Sequence, residues 1–153
     1  MLEGRRLWFV GIGGAGMSGL ALVALEWGAE VGGSDRARSS YVERLEAAGV
    51  PVTIGHDAAN VPAGAEVIVS SAIAPDNREV AGRPVRRRGE LLAELVQLRP
   101  AIVVAGAHGK TTTAGMIAFC LDRLGADPAF LIGGEIPQLG GNARAGEGWL
   151  VAE

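Results

Sequence analysis

The chain has 153 residues, 48% of them hydrophobic, with a formal net charge of −3. That length and apolar content suit one globular domain plus part of another and exclude a disordered chain. The acidic balance, with only 5% aromatic residues, argues against a nucleic-acid binder, which needs phosphate-facing cations or stacking rings.

In chain order, the apolar run over 7–10 ends in glycine and predicts a buried parallel strand. A Gly-rich turn leads to a helix over 17–27, stopped by Gly28. A second strand over 30–34 ends at Asp35. A second helix over 41–48 places Tyr41, Leu45 and Ala48 on one face. Strands follow over 52–54 and 66–70, with Val85 in a fifth, and then a helix over 89–98. After Pro100 come a strongly buried strand over 101–105, a helix over 111–124, and short strands over 130–132 and 149–151. The alternation predicts an α/β fold with parallel sheets. The first 100 or so residues can close a doubly wound domain. The rest bury too little surface to stand alone and read as the incomplete opening of a second domain.

Arg86-Arg87-Arg88 is the one charge run and reads as a solvated face. Cys120, the single cysteine, shares helical spacing with Met116 and Leu124 and is expected in the core. One cysteine allows no intrachain disulfide, which fits a cytoplasmic protein. The apolar run from Leu7 is broken by five glycines, so it does not read as a signal peptide. No segment reaches the roughly 20 apolar residues of a membrane span.

Two loops carry the chemistry. In Gly106-Ala107-His108-Gly109-Lys110-Thr111-Thr112, a strand runs into Gly-x-x-Gly-Lys-Thr-Thr and then a helix. Glycines let successive backbone N–H groups curl inward, and the helix start adds a positive dipole end. Lys110 is placed to reach the outer phosphates of ATP, and the Thr111 hydroxyl to ligate Mg²⁺. The common loop has a glycine where this chain has Val104; Gly106 makes a shorter loop. His108 touches phosphate or substrate, or packs on the loop.

Gly11-Ile12-Gly13-Gly14-Ala15-Gly16 satisfies Gly-x-Gly-x-x-Gly between a strand and a helix. Here Gly11 permits the tight turn, Gly13 close approach to a pyrophosphate, and Gly16 helix–strand packing, with Asp35 at a ribose hydroxyl. Taken alone, this loop favours a nicotinamide or flavin dinucleotide.

Together the motifs resemble the Mur ligase family. The resemblance rests on Gly11 to Gly19, Gly33-Ser34-Asp35, Ser70-Ser71-Ala72-Ile73, Asp76-Asn77 with Glu79, Gly89-Glu90-Leu91-Leu92, Gly106 to Thr113, Asp127-Pro128, Gly133-Gly134 and Val151-Ala152-Glu153. It implies a Rossmann-like domain for a UDP-sugar over 1–99 and the truncated start of a P-loop ATPase domain over 100–153. It also implies ATP-dependent ligation, in which a substrate carboxylate is phosphorylated and an amine then displaces phosphate. The motifs are most similar to the branch that joins L-alanine to UDP-N-acetylmuramate; a sister branch adds a recycled tripeptide. By resemblance, Gly13, Gly14, Ala15, Gly16, Met17 and Ser18 cradle the UDP diphosphate. Lys110, Thr111 and His108 form the catalytic set, and Thr111 and Glu153 hold Mg²⁺. Ala107 departs from the family's usual threonine, losing a hydroxyl contact but keeping the backbone cradle. The residues missing from the second domain imply that this length alone does not turn over.

Several positions stay open on the residues alone. His56 is a uracil or ribose contact or a surface histidine. Ser70 and Ser71 bind nucleotide or cap a strand end. Arg87 faces the diphosphate or solvent. Glu26, Glu43 and Glu46 read as exposed helix charges. An NAD-dependent oxidoreductase built on residues 1–100 leaves Gly109-Lys110-Thr111 unexplained. A non-catalytic nucleotide-binding module is the third class.

Overall fold

A computed structural model describes residues 1–153. Its first sheet contains β1 (Arg6–Val10), β2 (Glu30–Asp35), β3 (Val52–Ile54), β4 (Glu66–Val69) and β5 (Val85–Arg87), in the order β3-β2-β1-β4-β5. Every pairing is parallel. The apolar run Leu7 to Val10 makes β1 the buried centre. Strand order reverses between β1 and β4, so a crevice opens there at the carboxyl ends of the strands, where ligands bind in such sheets.

The helices follow the sequence with shifts of phase. In α2 (Ser40–Ala47), the Ser39 hydroxyl accepts from the Val42 amide and caps the helix. Its buried residues are Val42 and Leu45; Tyr41 is half-buried and Ala48 exposed, so the expected face is rotated by one position. α3 (Arg88–Leu95) stops three residues early, because Leu91 and Leu95 complete its core contact and Leu98 lies outside. Glu26 and Glu43 are exposed as expected, whereas Glu46 pairs with Arg38.

The second sheet departs further from expectation. It contains β6 (Ala101–Val103), β7 (Ala129–Ile136), β8 (Gly141–Arg144) and β9 (Leu150–Ala152), in the order β6-β9-β7-β8. β6 and β7 pair with β9 in parallel, but β7 and β8 are antiparallel. The strand expected to be strongly buried is an edge strand that ends at Val103, 59% exposed. α4 (Lys110–Arg123) lays Ala114 and Ala118 against Phe130, Ile132 and Val151. Cys120, expected in the core, is exposed together with Met116, because the small residues allow the closest approach to the sheet and set the helix's rotation.

The two sheets share α1 (Ala15–Glu26). Its residues Met17 to Ala24 are all buried, so one segment of this helix has no polar face. Such a helix must be covered on every side. The first sheet covers one side; β7 and β8 cover another. At Gly19 a Cβ would sit 3.0 Å from Ala143 Cβ, so glycine sets how near β8 comes. One continuous core runs from Leu7, Phe9 and Leu20 to Leu131 and Leu150. Residues 100–153 thus lean on the first layer. No helix is long and apolar enough to cross a membrane.

At the opposite end of the first sheet, Arg5 binds Glu66 through Nε and Nη2 at 2.8 and 2.7 Å, and Glu94 through Nη1 at 2.7 Å. Arg86, expected in solvent, bonds Glu94 at 2.7 Å. The hydrogen bonds from Arg5 hold the Glu66 carboxyl below the usual carboxylate range, with burial opposing them. A carboxyl with a depressed folded pKa contributes stability above its unfolded value, about 4.3, and loses it as pH falls through the folded value. Urea unfolding followed below about pH 4.3 is therefore expected to show a shallower loss of stability in Glu66→Gln than in the wild type.

Candidate functional site

The two glycine loops are helix starts with unengaged donors. At the first, Gly11 takes φ +78°, which favours glycine. The amides of Gly11 and Ile12 donate to the Ser34 carbonyl, Gly13 to Asp35 Oδ2 and Gly14 to the Gly11 carbonyl. Those of Ala15 and Gly16, the first two residues of α1, donate to nothing in the chain. At the second, Gly109 caps α4 in the left-handed region at φ +77°. No amide from Gly106 to Thr112 donates to any group in the chain; the first engaged is Thr113, to the Gly109 carbonyl. A run of free N–H groups at a helix start is an anion cradle with a positive dipole end behind it.

These helix starts face one another across a cavity of about 220 Å³, whose lining includes Gly16, Arg88, Lys110, Gly133 and Glu153. Lys110 Nζ lies across its loop, 2.7 Å from the Gly106 carbonyl. Thr111 Oγ1 donates to Glu153 Oε1 at 2.9 Å, and the Gly133 amide donates to the same oxygen. Glu153 Oε2 is buried without a partner. Next to this cavity is a cleft of about 630 Å³ that brings together Gly11, Gly13, Gly14, Ala15, Gly16, Met17, Asp35, His56 and Ser70.

Several of the expected site residues also make packing or hydrogen-bonding contacts within the chain. Gly13 lines the cleft and is tightly packed, since a Cβ there would lie 2.9 Å from both Asp35 Oδ2 and Val42 Cγ2. Asp35, expected on a ribose, holds the Gly13 amide at 2.8 Å while still lining the cleft. Gly16 makes room for the Arg88 guanidinium, not for a strand. Ser18 is buried and its hydroxyl donates to the Ala15 carbonyl, so its side chain is turned from the cleft. Ser70 lines the cleft and also accepts from the Ala72 amide, while Ser71 is exposed outside the cleft. His108 is exposed and lines neither space. Thr112 opens onto a separate groove with Met116 and Phe119.

The residue missed by sequence reasoning is Arg88. It is half-buried, has no carboxylate partner, and lines both spaces. Arg87, the candidate from the same run, is exposed and lines neither. The sequence signal was weak: Arg88 opens α3 directly after β5, at the crevice edge.

Fold and loops together define an α/β protein with two helix-start anion cradles on adjoining spaces. The family described as Mur ligase family, catalytic domain, matches residues 6–99. The chain belongs to the Mur ligase family. It is 48% identical over 155 residues to the UDP-N-acetylmuramate–L-alanine ligase of Burkholderia ambifaria and 50% identical to that of Burkholderia pseudomallei, covering 97% of this chain. It spans about a third of the length of these curated relatives, 33% of each. The structure of the UDP-N-acetylmuramate-alanine ligase of Thermotoga maritima matches with TM-score 0.90 and 32% identity, over 97% of this chain and 36% of that one. The UDP-N-acetylmuramate:L-alanyl-gamma-D-glutamyl-meso-diaminopimelate ligase of Neisseria meningitides matches with TM-score 0.86 and 33% identity, over 97% and 52%.

Two glycines of the first loop differ in what an added side chain would meet. Gly16→Ala meets only the flexible end of Arg88, so urea unfolding is expected to shift by less than about 1 kcal/mol. Gly13→Ala meets Asp35 and Val42 and is expected to cost about 1–3 kcal/mol of stability.

Proposed function

We propose that this chain supplies the sugar-nucleotide site and the opening of the ATP site of a ligase. The ligase joins L-alanine to the carboxylate of UDP-N-acetylmuramate in peptidoglycan precursor synthesis. Residues 1–99 take the UDP-sugar, and residues 100–153 begin the ATP-binding part. The observation that carries this reading is the pair of unengaged amide runs at Ala15-Gly16 and 106–112, with Arg88 and Lys110 on the cavity between them. One cradle alone would serve a dinucleotide; two serve a nucleotide and a triphosphate side by side.

In this reading, the outer phosphoryl group of ATP passes to the substrate carboxylate, giving an acyl phosphate and ADP. The alanine amine attacks the acyl carbon, an amide forms and phosphate leaves. Phosphoryl transfer needs positioning and charge neutralisation more than a side-chain nucleophile. The 106–112 amides and Lys110 hold the outer phosphates. Arg88 is placed to neutralise charge at both nucleotide sites. His108, exposed on the loop, is proposed as a phosphate contact.

Mg²⁺ fits Thr111 and Glu153. Glu153 has a buried, unpartnered Oε2, and its Oε1 already meets the Thr111 hydroxyl. No group of three or more His, Cys, Asp or Glu side chains could hold a metal, and Mg²⁺ characteristically uses one or two protein oxygens with phosphates and water. When bound, it would neutralise charge on the transferring phosphates.

The tripeptide-adding sister activity is the second reading, favoured by the Neisseria match, whose identity equals that of the Thermotoga enzyme within one percentage point. The 48–50% identical relatives favour alanine. Calorimetric titration of the chain with UDP-N-acetylmuramate, UDP and NAD tests the sugar-nucleotide site. Both uridine compounds are expected to bind and NAD to give no heat. NAD binding with no response to either uridine compound would refute the proposal.

A further inference from the structure

Glu79 is the only fully buried charged side chain, with 0% exposure, and no Lys or Arg reaches it. It sits in the connection between β4 and β5, yet three side chains from elsewhere converge on it. The Ser34 hydroxyl donates to Oε2, His56 Nδ1 lies 3.1 Å from Oε2, and Asn60 Nδ2 donates to Oε1 at 2.7 Å. Ser34 belongs to β2, and His56 follows β3. The cluster therefore stands at the carboxyl edge of the first sheet, behind the cleft wall.

The chemistry of the partners fixes a proton. In its ionised form the Glu79 carboxylate only accepts hydrogen bonds, so the Nδ1 facing it then carries hydrogen. The Ser34 hydroxyl is 3.0 Å from the same Nδ1. Its own hydrogen is directed at Glu79, so it too can only accept from that nitrogen. Both contacts require Nδ1–H. In a neutral imidazole this leaves Nε2 as a bare acceptor. Nε2 has no hydrogen-bond partner in the chain and is not among the buried unpartnered atoms, while His56 lines the cleft.

We propose that Glu79 is a positioning residue. It locks His56 in the Nδ1–H form, so that Nε2 enters the nucleotide cleft as a hydrogen-bond acceptor for an N–H or O–H donor of the ligand. On the reading that the cleft takes a uridine nucleotide, on which this inference rests, that donor is the uracil imide N–H or a ribose hydroxyl. A base with a ring acceptor at the imide position would face Nε2 lone pair to lone pair. Glu79 thereby turns a general contact into one that discriminates among ligands.

The chain has only two histidines, His56 and the exposed His108, so ¹⁵N NMR of the unliganded protein reads the proton directly. At about pH 8, where unperturbed imidazoles are neutral, His56 is expected to show protonated Nδ1 and bare Nε2. His108, as internal reference, is expected to show an ordinary tautomer mixture. Nε2–H or a doubly protonated ring at His56 overturns the inference. In Glu79→Gln, whose folding the same spectrum checks, the side-chain amide can donate to Nδ1, and the His56 preference is expected to vanish. Calorimetry with UDP, N3-methyl-UDP, 2′-deoxy-UDP and 3′-deoxy-UDP then identifies the donor. One of the three analogues is expected to bind about tenfold more weakly than UDP to the wild type, and no more weakly than UDP to His56→Ala. Equal binding of all four compounds to the wild type overturns the recognition role. A chain that binds no uridine nucleotide overturns that role together with the functional reading, while the tautomer, measured without ligand, still decides the part assigned to Glu79.

Discussion

Everything in this structure depends on a helix segment with no face for water. Between Met17 and Ala24 the chain presents only apolar or small side chains and one self-satisfied serine. A helix of that kind is unstable unless covered all round, and one sheet covers only one side. The requirement is met by β7 and β8, which close onto it at Gly19. That closure also places the two anion cradles. α1 begins at the first cradle; β7, which covers it, carries Gly133 and pairs with β9, which runs into Glu153, and both residues line the cavity beside the second.

The electrostatics of the cavity follow from this placement. Two helix starts bring positive dipole ends toward one space, and Arg88 and Lys110 add full charges. The single carboxylate there, Glu153, is held by the Thr111 hydroxyl and the Gly133 amide, not by either cation. The cations thus lack a carboxylate partner, and Lys110 is held only by the carbonyls of its own loop. This differs from the Arg5–Glu66–Glu94–Arg86 cluster at the far end of the same sheet, where every charge is paired within the chain.

Much of this was legible in the residues. The apolar runs, the stop at Gly28 and both glycine loops identify the fold, because β-period and turn chemistry are local. What escaped was set by tertiary contact. β8, Gly-Asn-Ala-Arg, has no β-branched or aromatic residue to announce a strand; backbone pairing with β7 makes it one. α4 has apolar residues on several faces, so spacing could not show that Ala114 and Ala118, not Cys120, would touch the sheet. In Arg86-Arg87-Arg88 the three identical residues have three different fates: a structural ion pair, solvent, and the cleft beside the first glycine loop. The loop at 11–16 is a turn before a helix, as its glycines suggest, and its central glycine is also packed against Asp35 and Val42. A motif fixes which residues are small, not which neighbour needs them so.

Native-state hydrogen exchange of the unliganded chain, followed at β1 and β7, tests the shared core most directly. If α1 binds the sheets into one unit, the slowest amides of both strands open in the same global event, with free energies within about 1 kcal/mol of each other. Exchange of β7 at several kcal/mol lower cost, with β1 still protected, would show two independently opening layers and contradict this account.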